Sequence, residues 1–269
     1  MNVFNIQIEA RPDTAPLPAK QGWPNATSAF LTAEWRDIVM LNYEVDSGLV
    51  RQFVPPGTEL DPWQGKNFIS LVGFRFLNAT VLGVPVPFHR KFDEINLRLY
   101  VRRREGSEVK RGVAFIREIV ARRAVASIAR RGYNEHYVTR RMAHRVERNG
   151  LAVQVWYSWT GRRDRGELSA KALGEPVTPA EGSEEQFIAE HYWGYSTQTD
   201  GACLEYRVDH PAWRVWRAHE ARFEGEVGQL YGRELAAMVR NPPASALIAD
   251  GSVVTVLRGR RLCGIKQKS

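Results

Sequence analysis

A segment of strict alternation, EINLRLYVRR at residues 94–103, constrains the fold of this chain more than any other feature. Its apolar members are Ile95, Leu97, Leu99 and Val101. The residues between them are polar: Glu94, Asn96, Arg98 and Tyr100. Because residues two apart in a strand lie on the same face, this pattern predicts a β-strand with one apolar and one polar, charged face.

Similar segments recur along the chain and are separated by turn signals. A turn at 105–107 leads into a strand at 112–119, which predicts a hairpin. Further strand-like segments lie at 37–45, 67–76, 144–149, 152–160, 167–173, 203–208, 213–223 and 252–257. Helical spacing occurs at 120–131 and 227–239, and Ser183 followed by Gln186 resembles a capping box. Many short strands with few helices predict a mainly β fold, with a closed or sandwiched antiparallel sheet.

The two ends of the chain differ from this central pattern. Residues 1–29 are predicted to be an N-terminal arm, residues 30–260 a single domain, and residues 261–269 a basic tail. No apolar run reaches the roughly 18 residues that a membrane-spanning helix needs, so no membrane partner is expected. Cys203 and Cys263 match no metal or redox spacing, and with no signal sequence evident they favour a reducing cytoplasm.

Arginine dominates the positive charge of the chain, which is +8 at pH 7. It contributes 31 of the 38 basic residues, and Arg-Arg pairs recur along the chain. Such charge is typical of phosphate-binding surfaces, and the alternative is that these arginines lie on solvated faces beside carboxylates. Because the pairs are dispersed and accompany no nucleic-acid-binding motif, no nucleic-acid partner is expected.

The polar face of the 94–103 strand has two interpretations. In a closed sheet every second side chain points inward, so a polar inward face marks a ligand cavity. Alternatively this face looks outward to water, which alternation alone equally allows. The orientation of this strand therefore decides whether Glu94 and Arg98 belong to a functional site.

Three longer motifs resemble a known family. EWRDIVMLNYEVDSGLVRQFVPPG, FDEINLRLYVR and EHYWGYSTQTDGACLEYRVDHPAW occur in this order. Together they resemble the YqjF-like family of uncharacterised conserved proteins, which is grouped with the acetoacetate decarboxylase-like superfamily. The resemblance covers most of residues 30–260 and implies an antiparallel β-barrel with a few flanking helices and an internal pocket. It implies no reaction, because the family has none assigned.

The decarboxylases indicate which residues would form such a pocket. The resemblance places Arg36 at their arginine before the first barrel strand and Glu94 at their strand glutamate. Their Schiff-base lysine has no counterpart, because Glu135 or His136 occupies its place. Both are therefore expected to contact a ligand, but neither supplies the neutral amine that a Schiff base requires.

Two further observations argue against Schiff-base decarboxylation. Of the nearest lysines, Lys91 falls in a loop among other cations, and Lys110 falls beside the hairpin turn. Neither is therefore expected to form a Schiff base. A second pocket carboxylate is not expected either, because the segment at 67–76 offers only Ser70 as a polar inward candidate.

The remaining candidates are His191 and two tyrosines. His191 is a candidate acid or base if it shares a cavity with Glu94. Tyr100, on the polar face of the 94–103 strand, and Tyr195 are candidate ligand contacts. The alternative for His191 and Tyr195 is that they are core residues whose polar tips bond internally. No metal-ligand spacing, dinucleotide loop or nucleophile elbow is present, so no metal and no cofactor is expected.

Three functions remain. The first is an enzyme that acts on a small oxo- or carboxylate-bearing molecule, with Glu94 as acid/base and with Arg36 and Arg98 binding the anion. The second is a non-catalytic barrel that binds a small metabolite, and the third is a basic nucleic-acid-binding protein. Self-association into a homo-oligomer stays open, because no feature of the sequence decides it.

Overall fold

The structure is a computed structural model that describes residues 29–85, 90–121 and 137–262. Several predictions fall outside these residues: most of the N-terminal arm, the helix expected at 120–131 beyond its first two residues, the candidates Glu135 and His136, Cys263, and the tail beyond residue 262. Val120, expected to begin that helix, instead ends a strand.

Strands make up most of the described chain, as the alternating segments predict. The strands are β1 (Ala29–Val45), β2 (Glu59–Leu60), β3 (Asn67–Val81), β4 (Val84–Pro85), β5 (Phe92–Glu105), β6 (Glu108–Val120), β7 (Tyr137–Thr139), β8 (Arg141–Asn149), β9 (Ala152–Thr160), β10 (Arg165–Leu173), β11 (Trp193–Thr197), β12 (Cys203–Asp209), β13 (Val215–Arg217), β14 (Glu220–Glu226), β15 (Ser245–Leu257) and β16 (Arg260–Leu262). The helices are α1 (Ser47–Val50), α2 (Glu184–Ala189), α3 (Gly228–Tyr231) and α4 (Arg233–Met238), and a 3-10 turn spans Arg51–Phe53. None of the helices within the described ranges has the length and apolarity needed to cross a bilayer.

Seven of the described strands pair side by side into a closed ring, in the order β15, β1, β3, β5, β6, β11 and β12. β12 closes the ring by pairing Val208 and Asp209 with residues of β15. Neighbouring strands in the ring are antiparallel except β6 and β11, which are parallel. β11 is not predicted from the sequence, because it has only five residues and includes Gly194. Only its pairing with β6 and β12 identifies it as a strand.

Two predicted elements are divided in the structure. The helix expected at 227–239 is broken at Gly232, whose φ of 81° favours glycine and separates α3 from α4. The strand expected at 213–223 forms two strands, β13 and β14. The predicted helix start at Ser183 is confirmed, because its side chain accepts a hydrogen bond from the Gln186 backbone N–H at 3.2 Å.

A second sheet packs against the outside of the ring. It is antiparallel and contains β14, β10, β9 and β8 in that order. The apolar face of β5 packs toward it, because Leu97 and Leu99 share one core cluster with Val155 and Leu168 of the second sheet. A separate cluster that includes Phe74 fills part of the ring interior. The two faces of β5 therefore meet two different environments.

Gly73 lies where β3 meets the second sheet. A Cβ atom on Gly73 would lie 2.8 Å from Cδ2 of Tyr157, whose hydroxyl donates a hydrogen bond to the Asp37 carbonyl oxygen at 2.8 Å. The pairing of β3 with β5 continues through Gly73 without a register shift. Glycine is therefore required here for the close approach of the Tyr157 ring.

We expect Gly73→Ala to lower the free energy of unfolding by about 1–3 kcal/mol, because the added methyl group overpacks the contact with Tyr157. Urea denaturation measures this change. The matched control is Gly228→Ala, where a Cβ would meet no atom within 4 Å. Its effect should stay within about 0.5 kcal/mol. Equal stability of the two variants would contradict the close-approach role.

Candidate functional site

The strand ring encloses a cavity of about 140 Å³. Each of the seven ring strands contributes to its lining, which is mainly aliphatic and aromatic. An apolar protein cavity of about 150 Å³ holds a molecule the size of benzene, so this volume suits a small organic ligand. Charged and polar side chains reach the cavity from β5, β6, β7 and the segment after α2: Glu94, Asn96, Arg98, Glu118, Tyr137 and His191.

The orientation of β5 decides the character of this cavity. Glu94, Asn96 and Arg98 line it, whereas the alternate residues Ile95 and Leu97 pack toward the second sheet. The pleat of a regular strand sends successive side chains to opposite faces. Of the two interpretations of the polar face, the inward one is therefore the arrangement found.

Glu94 is buried, and two hydrogen bonds offset part of the cost of removing its carboxylate from water. It is 3% exposed, and its carboxylate accepts hydrogen bonds from Asn96 Nδ2 at 3.1 Å and from the Tyr137 hydroxyl at 3.2 Å. Burial raises the pKa of Glu94 to about 7, although the two hydrogen bonds oppose this shift. A carboxyl group with a pKa near neutrality can both accept and donate a proton.

Arg98 carries its positive charge into the same cavity. Its guanidinium donates to the Ile188 carbonyl oxygen at 3.1 Å and to the Tyr100 hydroxyl at 3.4 Å. Both acceptors are neutral, and within the described part of the chain Nε has no acceptor at all. Arg98 can therefore offer further hydrogen bonds to an anion.

Tyr100 lies behind Arg98 and is fixed by a chain of buried polar groups. Its hydroxyl is 2.6 Å from Ser70 Oγ, which donates to Asn42 Oδ1 at 2.6 Å. Asn42 Nδ2 in turn donates to Ser245 Oγ at 3.0 Å. Because Ser70 gives its proton to Asn42, Tyr100 donates to Ser70 and its oxygen can accept from Arg98. The predicted ligand contact Tyr100 thus acts on the cavity through Arg98.

His191 lines the cavity beside this group. Its ring centroid is 4.8 Å from that of Tyr100, and its Nε2 is 3.7 Å from Oδ2 of Asp61. Burial lowers the pKa of His191, while Asp61 acts in the opposite direction, so the imidazole is neutral at pH 7. Asp61 is 1% exposed and also pairs with Arg111 Nε at 3.0 Å. Asp61 is not evident as a site residue from the sequence, because it lies in a turn segment far from His191 in the chain.

Glu118 is a second carboxylate in the cavity beside Glu94, so the expectation that the pocket has no second carboxylate is wrong. It is 1% exposed and lies on β6. The register between β5 and β6 shifts between Leu97 and Arg98, which leaves one extra residue, Ile116, in β6. Phe115 and Glu118 would lie on opposite faces of a regular strand, but this bulge brings both to the cavity.

Arg36 lies outside the cavity, because β1 also contains a bulge. Asp37 has a φ of 54° at a register shift, and Trp35 and Ile38 both line the cavity as a result. The guanidinium of Arg36 instead donates to Glu34 Oε2 at 2.7 Å. The structure therefore does not bring together the predicted arginine pair.

Tyr195 and the described lysines also lie away from the cavity lining. Tyr195 is fully buried in the core that faces the second sheet, and its hydroxyl donates to the Lys110 carbonyl oxygen at 3.4 Å. The Lys110 amine forms ion pairs with Glu105 and with Glu205. Lys91 is exposed and immediately precedes β5. Among the described residues, no lysine lines the cavity.

No group of three or more His, Cys, Asp or Glu side chains suited to hold a metal ion occurs in residues 29–85, 90–121 and 137–262. The expectation of a metal-free site stays a prediction.

We expect the stability of the protein to depend on pH through Glu94. Its pKa is about 7 in the folded state against 4.5 for the unperturbed group, so the folded state keeps a proton that the unfolded state releases. The wild type therefore loses stability relative to Glu94→Gln as the pH rises from 4.5 through 7, by up to about 3 kcal/mol.

Urea denaturation of both proteins at pH 5 and pH 8.5 measures this difference. The matched control is Glu108→Gln, because Glu108 is exposed at the start of β6. Its stability difference from the wild type should not change over the same interval. The burial argument is wrong if Glu94→Gln also follows the wild type at both pH values.

Comparisons with known proteins agree with this architecture. The chain is 14% identical to the enduracididine biosynthesis enzyme MppR complexed with pyruvate, with a TM-score of 0.62 over 88% of this chain and 92% of that one. It is 12% identical to acetoacetate decarboxylase from Legionella pneumophila, with a TM-score of 0.58 over 93% of both chains. These likenesses show the fold, and the predicted acetoacetate decarboxylase-like fold is confirmed.

A sequence relative agrees with the predicted resemblance as well. The uncharacterized protein YqjF of Bacillus subtilis (strain 168) is 27% identical over 179 residues, which are 66% of this chain and 72% of that protein. The sequence model of the DUF2071 family, described as an uncharacterized conserved protein, matches residues 32–253. The chain belongs to this family.

Proposed function

We propose that this protein binds a small 2-oxo acid or related carboxylate in the ring cavity and transfers a proton at the carbon beside the carbonyl group. One observation carries this proposal: Glu94 and Arg98 line the same mainly apolar cavity from one face of β5. Their Cα atoms are four steps apart along the strand, which is about 13 Å and leaves room for a small molecule between the two side chains.

Arg98 is the anion-binding group in this proposal. A planar guanidinium binds the two oxygens of a carboxylate at once, and such charge-assisted hydrogen bonds are strong in a cavity shielded from water. The contacts of Arg98 with Ile188 and Tyr100 hold it in place without neutralising it. The unsatisfied Nε is consistent with a ligand carboxylate as the missing acceptor.

Glu94 is the proton-transferring group. The ionised carboxylate accepts a proton from the carbon next to the ligand carbonyl, the electrons of that C–H bond form an enolate, and the carbonyl oxygen takes the negative charge. Reversal of the step returns a proton to the carbon. His191, which is neutral and lines the cavity, is the proposed hydrogen-bond donor to this oxygen.

Two further observations support a 2-oxo acid without Schiff-base chemistry. MppR, which has a similar fold, is described in complex with pyruvate. No lysine amine of the described residues lines the cavity, so the proposed step depends on general acid–base catalysis. The second candidate, a non-catalytic metabolite-binding protein, has the same anion site but needs no proton transfer by Glu94.

Nucleic-acid binding is less favoured. The described arginines of the Arg-rich segments are largely engaged in ion pairs with carboxylates, which reduces their attraction to phosphates. Arg102 and Arg104 pair with Glu59, Arg103 with Glu205, and Arg140 with Asp164.

We expect the wild type to catalyse exchange of the pyruvate methyl protons with deuterium in D2O, at a rate that rises as Glu94 ionises near pH 7. Proton NMR of pyruvate measures the rate. Glu94→Gln should abolish exchange above the buffer background and keep the affinity for pyruvate within about threefold, since Arg98 still binds the carboxylate. Binding without exchange in the wild type would instead favour the non-catalytic protein.

The affinity of the anion site can be tested separately by calorimetric titration with pyruvate. We expect Arg98→Gln to weaken binding by about 10-fold or more, because a hydrogen bond to a charged group is worth about 1.5–3 kcal/mol. The matched control is Arg36→Gln, which removes an arginine outside the cavity and should leave the affinity unchanged. If both variants bind pyruvate as the wild type does, Arg98 is not the anion site.

A further inference from the structure

The cavity changes from polar to aromatic along β5. Arg98, Asn96 and Glu94 succeed one another on the inward face, and Phe92 follows them toward the start of the strand. Phe92 is paired in register with Phe76 of β3, and their rings stack at 4.4 Å between centroids. The polar residues therefore occupy one part of the cavity and leave the part beside Glu94 apolar.

Five aromatic side chains line this second part, and we call them the aromatic wall: Trp35, Phe74, Phe76, Phe92 and Trp213. Trp35 contacts three of the other members. Trp35 is 5.1 Å from Phe74, 5.9 Å from Phe76 and 6.3 Å from Trp213, measured between ring centroids. Rings at these separations form a continuous apolar surface of fixed shape.

The aromatic wall is larger than a pyruvate-sized ligand needs. A methyl group on a carboxylate bound at Arg98 would reach the neighbourhood of Glu94 and leave the wall without contacts. Apolar cavities favour apolar ligands because contact surface is removed from water, at about 0.8 kcal/mol for each buried methylene group. The wall is thus suited to a group that extends beyond the reacting carbon.

We propose that the ligand of this cavity is an amphipathic carboxylate, whose head binds Arg98 and whose apolar tail, the size of a branched alkyl group, packs on the aromatic wall. This inference rests on the proposed function for the position of the head, and it adds the chemical class of the tail. The cavity volume of about 140 Å³ suits a molecule the size of benzene, so the head and the tail together are limited to roughly eight non-hydrogen atoms.

Calorimetric titration with three stable probes tests the tail: propanoate, 4-methylpentanoate and the uncharged 4-methylpentanamide. We expect 4-methylpentanoate to bind at least about tenfold more tightly than propanoate, because each buried methylene-sized unit contributes about fourfold in affinity. The amide should bind at least about tenfold more weakly than 4-methylpentanoate, because it lacks the charge that Arg98 recognises.

A variant of the wall tests where the tail binds. Phe76→Leu should remove most of the advantage of 4-methylpentanoate and leave propanoate affinity unchanged. The matched control is Phe223→Leu, a buried phenylalanine that packs on Trp159 in the second sheet and should leave both affinities unchanged. If Phe76→Leu proves unfolded, the probe series on the wild type still decides the proposal.

The outcomes separate the two proposals. Equal binding of propanoate and 4-methylpentanoate overturns the amphipathic ligand and leaves the anion site intact. Equal binding of the acid and the amide overturns the role of Arg98, and with it the proposed function, even where the tail contributes. A tail advantage that persists in Phe76→Leu overturns the assignment of the tail to the aromatic wall.

Discussion

The packing of the apolar face of β5 against the second sheet is the interaction on which the site depends. Each of Ile95, Leu97, Leu99 and Val101 is fully buried, and burial of such a side chain contributes about 1.5–3 kcal/mol. Turning the strand over would lose these contributions together and would place Glu94, Asn96 and Arg98 against the apolar core that faces the second sheet. Because successive side chains alternate, this packing leaves Glu94, Asn96 and Arg98 no direction except inward.

The inward placement of charge is tolerated because each charged group has compensation. Protonation of Glu94 near pH 7 lowers the cost of burying its carboxylate, and Asn96 and Tyr137 supply hydrogen bonds. Arg98 keeps its charge, which a backbone carbonyl and the hydroxyl of Tyr100 stabilise in part. An acid near neutrality and an incompletely paired guanidinium in one apolar cavity form an environment suited to acid–base chemistry on an anion.

Two β-bulges determine the composition of the cavity as much as β5 does. In β1, the bulge at Asp37 turns Arg36 away from the cavity and brings Trp35 to its surface, where Trp35 forms part of the aromatic wall. In β6, the bulge at Ile116 introduces Glu118 opposite Asn96. A single extra residue moves each side chain beyond it to the opposite face of the strand. A bulge can therefore change the residues of a site without changing the fold.

The sequence by itself determined the mainly β architecture, the two faces of β5 and the family, since each of these depends on local pattern or on motifs. Tertiary structure decided that the polar face looks inward, that Arg36 leaves the cavity, that Glu118 enters it, and that Asp61 meets His191. The physical reason is that period-two alternation assumes a regular strand, whereas a bulge exists only in relation to a partner strand. Likewise, β11 acquires its identity from pairing with β6 and β12, and Asp61 and His191 approach each other only when the ring has formed.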